Sequence, residues 1–280
     1  MASIKINRAK MKVVILAAGY GTRLLRDLQN QEKFAQLISI PKPLLPIGGL
    51  PLISYWVEAL KARNDVSDLT VITNDLYLKK FKDWAQKYPY ITVLTDGTSC
   101  NEDRLGAVFC LQLAIEQLKA DDHVMVIGGD TLFFEDFHLN EVVTKFEMIT
   151  NTSGNANLVL TYPCKDEETN KYGILEIDEN QRVIALREKP SPKETASRQA
   201  CPCFYMLSKY TLPLVQEFLD EKKNYPIDEK DAPGHFLSWL IKRPVYIHPV
   251  SGRFDVGNLE AYVKCNNYFL NKESMCGYLQ

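Results

Sequence analysis

The residues best suited to chemistry begin with a short loop, Gly19-Tyr20-Gly21-Thr22-Arg23, directly after the apolar run of residues 12–18. Two glycines let a backbone approach a ligand closely and turn N–H groups toward an anion. Arg23 adds a planar fork of donors matched to phosphate oxygens. Leu24 stands where a dinucleotide fingerprint needs its third glycine, and no Gly-Lys-Ser/Thr follows, so the loop is neither that fingerprint nor a Walker loop. Taken alone, Gly-x-Gly is equally a plain strand turn.

A second feature follows at Pro41-Lys42-Pro43-Leu44-Leu45-Pro46. Three prolines in six residues exclude a regular helix and stiffen the backbone. A lysine held there has a fixed position, useful for neutralising phosphate charge. The bland counterpart is a rigid surface turn with a solvated lysine.

The elements that must position these residues come in two styles. The first half alternates apolar runs at residues 12–18, 69–73, 91–95 and 123–127 with helical patterns at 51–61, 76–87 and 105–118. The last apolar run ends in Gly128-Gly129-Asp130. Such alternation predicts an α/β fold, a Rossmann-like, mostly parallel sheet flanked by helices. Open sheets of this kind bind ligands at the carboxyl ends of their strands, where residues 19–23 fall. The second half predicts a mixed α+β arrangement, with strands near 157–162, 173–177, 182–187 and 203–207. Helices are predicted near 209–222, 234–241 and 259–270. No low-complexity linker and no internal repeat interrupts the chain.

The 280 residues are 46% hydrophobic and 24% charged, an ordinary globular balance with a formal net charge of −2. That balance offers no basic footprint for nucleic acid, so an anionic substrate needs a local basic site. No run approaches the length of a membrane span, and the first ten residues lack the apolar stretch of a signal peptide. Seven scattered cysteines argue against a secreted disulfide framework and for a cytoplasmic chain. Cys201 and Cys203 have no second pair at zinc-site spacing and read as thiols. The four histidines form no ligand cluster.

Leu-Ala-Ala-Gly-x-Gly-Thr-Arg-Leu followed by Pro-Lys-Pro-Leu-Leu-Pro resembles the sugar-1-phosphate nucleotidyltransferases, a family that includes glucose-1-phosphate thymidylyl- and uridylyltransferases and mannose-1-phosphate guanylyltransferases. The resemblance runs from Lys12 to about Asn258 and implies a single nucleotidyltransferase domain over residues 1–280. Within it, residues 11–150 would form a nucleotide-binding half, 151–260 a sugar-phosphate-binding half, and 261–280 a C-terminal helix and tail. The resemblance implies that Leu16, Ala17, Gly19, Gly21, Thr22, Arg23, Lys42, Gly106 and Asp130 bind the nucleotide. Arg23, Lys42 and Asp130 carry the catalytic burden in that reading. Asp130 and Asp255, the latter from Phe-Asp-Val-Gly-Asn, would hold a magnesium ion. Tyr172-Gly173 and Glu188-Lys189 would bind the sugar phosphate. The implied partners are an NTP and a sugar 1-phosphate, with no nucleic acid and no membrane, and homo-oligomerisation is left open.

The chemistry of the residues is consistent with this. Magnesium takes oxygen ligands and needs only one or two carboxylates, the rest coming from phosphate and water. A sugar phosphate is already an anionic nucleophile, so no general base is required. The enzyme must supply alignment and charge neutralisation at the α-phosphorus.

The chain also departs from the family pattern. Residues 25–40 form a longer, polar, proline-free stretch, expected to be a lid over the nucleotide or a partner surface. In the stretch that reads the base, residues 98–107, only Gly106-Ala107 matches the family, so the base is not assigned. A cytidylyltransferase acting on phosphocholine or another non-sugar phosphate is one alternative. A non-catalytic regulatory subunit of the same fold is another, although Arg23, Lys42, Asp130 and Asp255 are all retained. A glycosyltransferase is a third, disfavoured because the chain has no Asp-x-Asp motif.

Overall fold

The structure, a computed structural model, describes residues 10–119, 121–134 and 136–271. The first ten residues apart from Lys10, and the tail after residue 271, lie outside them.

Strand β1 (Met11–Leu16) is a run of β-branched and aliphatic residues buried on both faces, the pattern of a central strand. It ends one turn before helix α1 (Thr22–Gln29), whose N-cap is Gly21 in the left-handed region. A short hairpin, β2 (Pro46–Ile47) and β3 (Leu50–Pro51), leads into helix α2 (Leu52–Lys61). Strand β4 (Val66–Thr73), helix α3 (Asp75–Ala85), strand β5 (Ile91–Thr95), helix α4 (Ala107–Leu118) and strand β6 (His123–Gly128) complete the alternating half. The Asn74 side chain caps α3 by accepting from the Tyr77 N–H at 3.1 Å.

The second half holds β7 (Thr131–Phe133), α5 (Leu139–Ser153), β8 (Asn157–Pro163), β9 (Gly173–Ile177), β10 (Val183–Glu188), β11 (Gln199–Cys201) and β12 (Phe204–Leu207). It closes with α6 (Leu212–Glu221), α7 (Pro233–Leu240), β13 (Val245–Pro249), β14 (Arg253–Asp255) and α8 (Leu259–Leu270).

One sheet runs through both halves in the order β10-β9-β11-β8-β12-β6-β1-β4-β5, with β13 parallel to β8. The strands β6, β1, β4 and β5 are parallel, as the first-half pattern predicts. From β12 outward the path is antiparallel, so the sheet as a whole is mixed. Strand β12 inserts between β6 and β8 and joins the two halves without a break.

Trp56 of α2 anchors the packing between the halves. It is fully buried, its ring lies within 6 Å of the rings of Phe133, Phe137 and Phe204, and its indole N–H donates to the Thr131 carbonyl at 2.8 Å. A buried indole needs such a partner, and the ring contacts add to the burial itself.

The stretch 25–40 departs from one of its two expectations, the lid. It is the rest of α1 plus a 3-10 turn, Glu32–Leu37, and it borders neither of the cavities described below. Leu24, Leu28 and Leu37 are buried in the core, Phe34 meets Tyr262 edge-on, and Asp27 accepts from the Leu259 N–H at 3.2 Å. An i, i+4 leucine pair draws this polar segment down against α8, so it does not lie over the site as a lid.

Candidate active site

At the carboxyl ends of β1, β5 and β6 lies a cavity of about 370 Å³. Its walls include Leu16, Ala17, Gly19, Tyr20, Gly21, Lys42, Gly106 and Asp130. A second cavity of about 240 Å³ adjoins it, bordered by Arg23, Lys42, Asp130, Tyr172, Gly173, Glu188, Arg253 and Asp255. The two share Lys42, Asp130, Cys203 and Pro233.

The sequence-predicted residues divide between them. Leu16, Ala17, Gly19, Gly21 and Gly106 line the first cavity; Tyr172, Gly173, Glu188 and Asp255 line the second; Lys42 and Asp130 line both. Arg23 borders the second cavity, whereas the resemblance placed it on the nucleotide side. Thr22 and Lys189 border neither. Thr22 opens α1 with its side chain exposed. Lys189 is more than half exposed, holds a left-handed φ of 49°, and its ammonium lies 3.7 Å from Glu188.

Gly21 needs its freedom. Its φ is +65°, and a Cβ there would touch the Lys42 side chain at 3.4 Å. Lys42 sits in a 3-10 turn between Pro41 and Pro43, and its ammonium lies 3.7 Å from an Asp130 carboxylate oxygen.

Asp130 and Asp255 come together through a short antiparallel pair, β7 with β14. Thr131 stands opposite Asp255, and the Val256 N–H donates to the Asp130 carbonyl at 3.2 Å. The sequence marks a strand-like run ending at Asp255 but no strand at β7. Among the described residues no group of three or more His, Cys, Asp or Glu is arranged to hold a metal ion. Two carboxylates bordering one cavity nevertheless form a donor set that fits magnesium, which fills its shell with phosphate and water.

Arg253 was not found from the sequence, where it is one basic residue in a turn-like stretch. Its guanidinium donates to Asp255 at 2.9 Å, to the Thr131 hydroxyl at 3.1 Å and to the Tyr162 hydroxyl at 3.1 Å. The rings of Tyr162 and Tyr172 lie 5.4 and 5.2 Å from its central carbon. Burial works against this charge, but Asp255 and its other partners outweigh that cost and hold the group firmly protonated. Cys203, on the shared wall, has its thiol pushed up to about 12 by burial and then by the nearby Asp130 charge, so it stays protonated.

Asp231 was also missed. Its carboxylate accepts from the Ala107 N–H at 3.0 Å and from Arg104 Nε at 3.1 Å, and its backbone carbonyl accepts from Ala107 and Val108. It therefore caps α4 from 124 positions away in sequence. Gly106, the residue before that helix, has φ +95°, and a Cβ there would lie 2.8 Å from the Asp231 Cα.

No helix among the described residues is long and apolar enough to cross a membrane.

Residues 12–272 match the Nucleotidyl transferase family. A mannose-1-phosphate guanyltransferase of Debaryomyces hansenii is 29% identical over 223 residues, covering 78% of this chain and 56% of that protein. The chain thus spans little more than half the length of that relative. A UTP–glucose-1-phosphate uridylyltransferase of Pseudomonas aeruginosa is 25% identical over 292 residues, covering 92% of this chain and 95% of that protein. A solved structure of a putative glucose-1-phosphate thymidylyltransferase from Bacillus anthracis shares the fold with a TM-score of 0.72 at 23% identity, covering 94% of this chain and 97% of that one. With residues 12–272 matched by that family's model, nearly the whole chain, this protein belongs to the nucleotidyl transferase family.

Proposed function

We propose that this chain transfers the nucleoside monophosphate unit of an NTP to a sugar 1-phosphate, by magnesium-dependent in-line attack on the α-phosphorus with release of pyrophosphate. The shared wall carries the reading: Lys42 and Asp130 border both cavities, so two substrates held on either side would meet there. Two adjoining cavities with a common charged wall suit a reaction whose main need is alignment.

In this reading residues 11–150 bind the nucleotide. Gly19 and Gly21 present backbone to the phosphates, and Lys42 neutralises charge that builds on the α-phosphate oxygens. Arg23 reaches the same phosphates from the acceptor side. Residues 151–260 bind the acceptor, with Glu188 and the Tyr172-Gly173 backbone against the sugar and Lys189 on its phosphate. Lys189 must leave Glu188 to reach it. Asp130 and Asp255 would hold magnesium, which supplies charge neutralisation at the phosphates when bound. Arg253 fixes the Asp255 carboxylate in place. The acceptor phosphate attacks as an anion, so no side chain has to take its proton. We assign the reaction to the cytoplasm, a reading supported by the free thiols among the described cysteines.

Labelled NTP tests the proposal. With a sugar 1-phosphate acceptor, an α-phosphate label must appear in a sugar nucleotide and a γ-phosphate label in pyrophosphate. Label from the γ-position in the sugar product would identify a kinase instead.

A further inference from the structure

The base is the part of the nucleotide that no motif assigns. Lys42 and Asp130 belong to the wall that the first cavity shares with the acceptor cavity, whereas Asp96, Asn101, Arg104 and Asp231 line the first cavity alone. The strand order β6-β1-β4-β5 sets Asp130, which follows β6, three strand intervals from Asp96, which follows β5. An NTP with its α-phosphorus at the shared wall therefore extends its base toward Asp96.

The polar groups there differ in how far they are used. Asp231 is engaged at both carboxylate oxygens, by Ala107 and Arg104. Arg104 is tied to Asp231, to Asp228 and to the Asn101 carbonyl. Asp96 is different. It is only 9% exposed yet lines the cavity. Its Oδ1 accepts from the Thr98 N–H at 2.9 Å and the Thr98 hydroxyl at 2.8 Å. The Tyr20 hydroxyl, 2.6 Å from that of Thr98, helps to fix the arrangement. Oδ2 meets the Cys110 thiol at 3.7 Å, a weak donor that leaves acceptor capacity on a buried oxygen.

We infer that Asp96 reads the base and selects one with an amine on its pairing edge, guanine above all, against uracil and thymine. This deepens the nucleotidyl-transfer reading and rests on it. A carboxylate only accepts hydrogen bonds. Guanine offers N1–H and the N2 amine side by side, so the free Oδ2 can accept there without facing a carbonyl oxygen. Adenine and cytosine offer a single amine beside a ring acceptor. Uracil and thymine offer N3–H between two carbonyl oxygens, which a carboxylate repels. A buried acceptor facing acceptors is left unpaired, and that mismatch gives polar sites their discrimination.

The experiment is calorimetric binding of GTP, inosine triphosphate, ATP, CTP, UTP and dTTP to the full chain, with magnesium and without acceptor. GTP should bind at least about tenfold tighter than UTP or dTTP. Inosine triphosphate, lacking the N2 amine, should bind more weakly than GTP. Asp96→Asn, whose amide can serve either kind of edge, should bring the GTP:UTP ratio close to one. Thr98→Ala removes the hydroxyl donor to Asp96 but keeps the backbone donor and the carboxylate, so it should preserve the preference and separate base reading from loop damage. UTP or dTTP binding as tightly as GTP, or an unchanged ratio in Asp96→Asn, overturns the inference alone. No binding of any NTP overturns both the inference and the reading beneath it.

Discussion

The Lys42 ammonium lies 3.7 Å from the Asp130 carboxylate, and both border the two adjoining cavities. The proline-flanked turn fixes the lysine, and the Gly129-Asp130 turn after β6 fixes the aspartate. In the proposed reaction this ion pair would open onto the substrates, the lysine neutralising phosphate and the aspartate holding a metal ion, without rearranging the backbone.

Asp130→Asn keeps the size of the side chain and removes its charge. We expect turnover to fall by at least about 100-fold, the usual loss when a transition-state charge stabiliser is removed. The melting temperature should change little, because this side chain is more than one-third exposed. Steady-state kinetics beside a thermal melt check this, and undiminished turnover would remove Asp130 from the mechanism.

Lys189→Ala should raise KM for the sugar phosphate and spare KM for the NTP. The side chain is more than half exposed and pairs with Glu188, so the substitution should not disturb folding. The two KM values, each measured at saturation with the other substrate, decide the matter. A selective loss on the NTP side would mean that the two cavities have been assigned the wrong way round.

Gly106→Ala places a Cβ 2.8 Å from the Asp231 backbone at a φ of +95°. Both the conformation and the contact oppose it, so the segment carrying Asp231 must move away from the start of α4. We expect a loss of about 1–3 kcal/mol in stability together with weaker NTP binding. Chemical denaturation and an NTP titration test the pair of effects; a variant as stable as the parent would show that this close packing is dispensable.

His123 and His248 both have pKa values below 6.5, in each case chiefly because burial disfavours the charged ring. The His123 Nδ1 also accepts from the Lys209 N–H at 3.2 Å, which requires a neutral nitrogen. Below about pH 6.5 the unfolded chain takes up protons that the folded chain resists, so stability is full above that pH and declines as pH falls. Melting temperatures should therefore drop between pH 7.5 and pH 5.5, and His123→Gln should drop less. A parent protein that melts higher at pH 5.5 would contradict the assignment.

Much of the site was legible because its chemistry is written in contiguous residues. Gly19 to Arg23 and Pro41 to Pro46 state their backbone geometry locally, and the apolar run before Gly128-Gly129-Asp130 marks a strand end. The rest depends on partners far apart in sequence. Arg253 means little until β14 pairs with β7 and sets it against Thr131 and Tyr162. Asp231 is one acid in Lys-Asp-Ala-Pro until α4 supplies N–H groups for it to cap. The sequence pattern does not mark helix α1 because its eight residues are polar apart from three leucines, and the elements packed on it, the 3-10 turn at Glu32–Leu37 and α8, come later in the chain. The short strands β7, β11 and β14 are three residues each, too few to show an alternation.

The most direct test of the account is pyrophosphate release with magnesium, across five NTPs against glucose, galactose, mannose and N-acetylglucosamine 1-phosphates plus phosphocholine. The account predicts release that depends on one of the sugar 1-phosphates and disappears when it is omitted. Release only with phosphocholine, or none with any acceptor while NTP still binds, would contradict it.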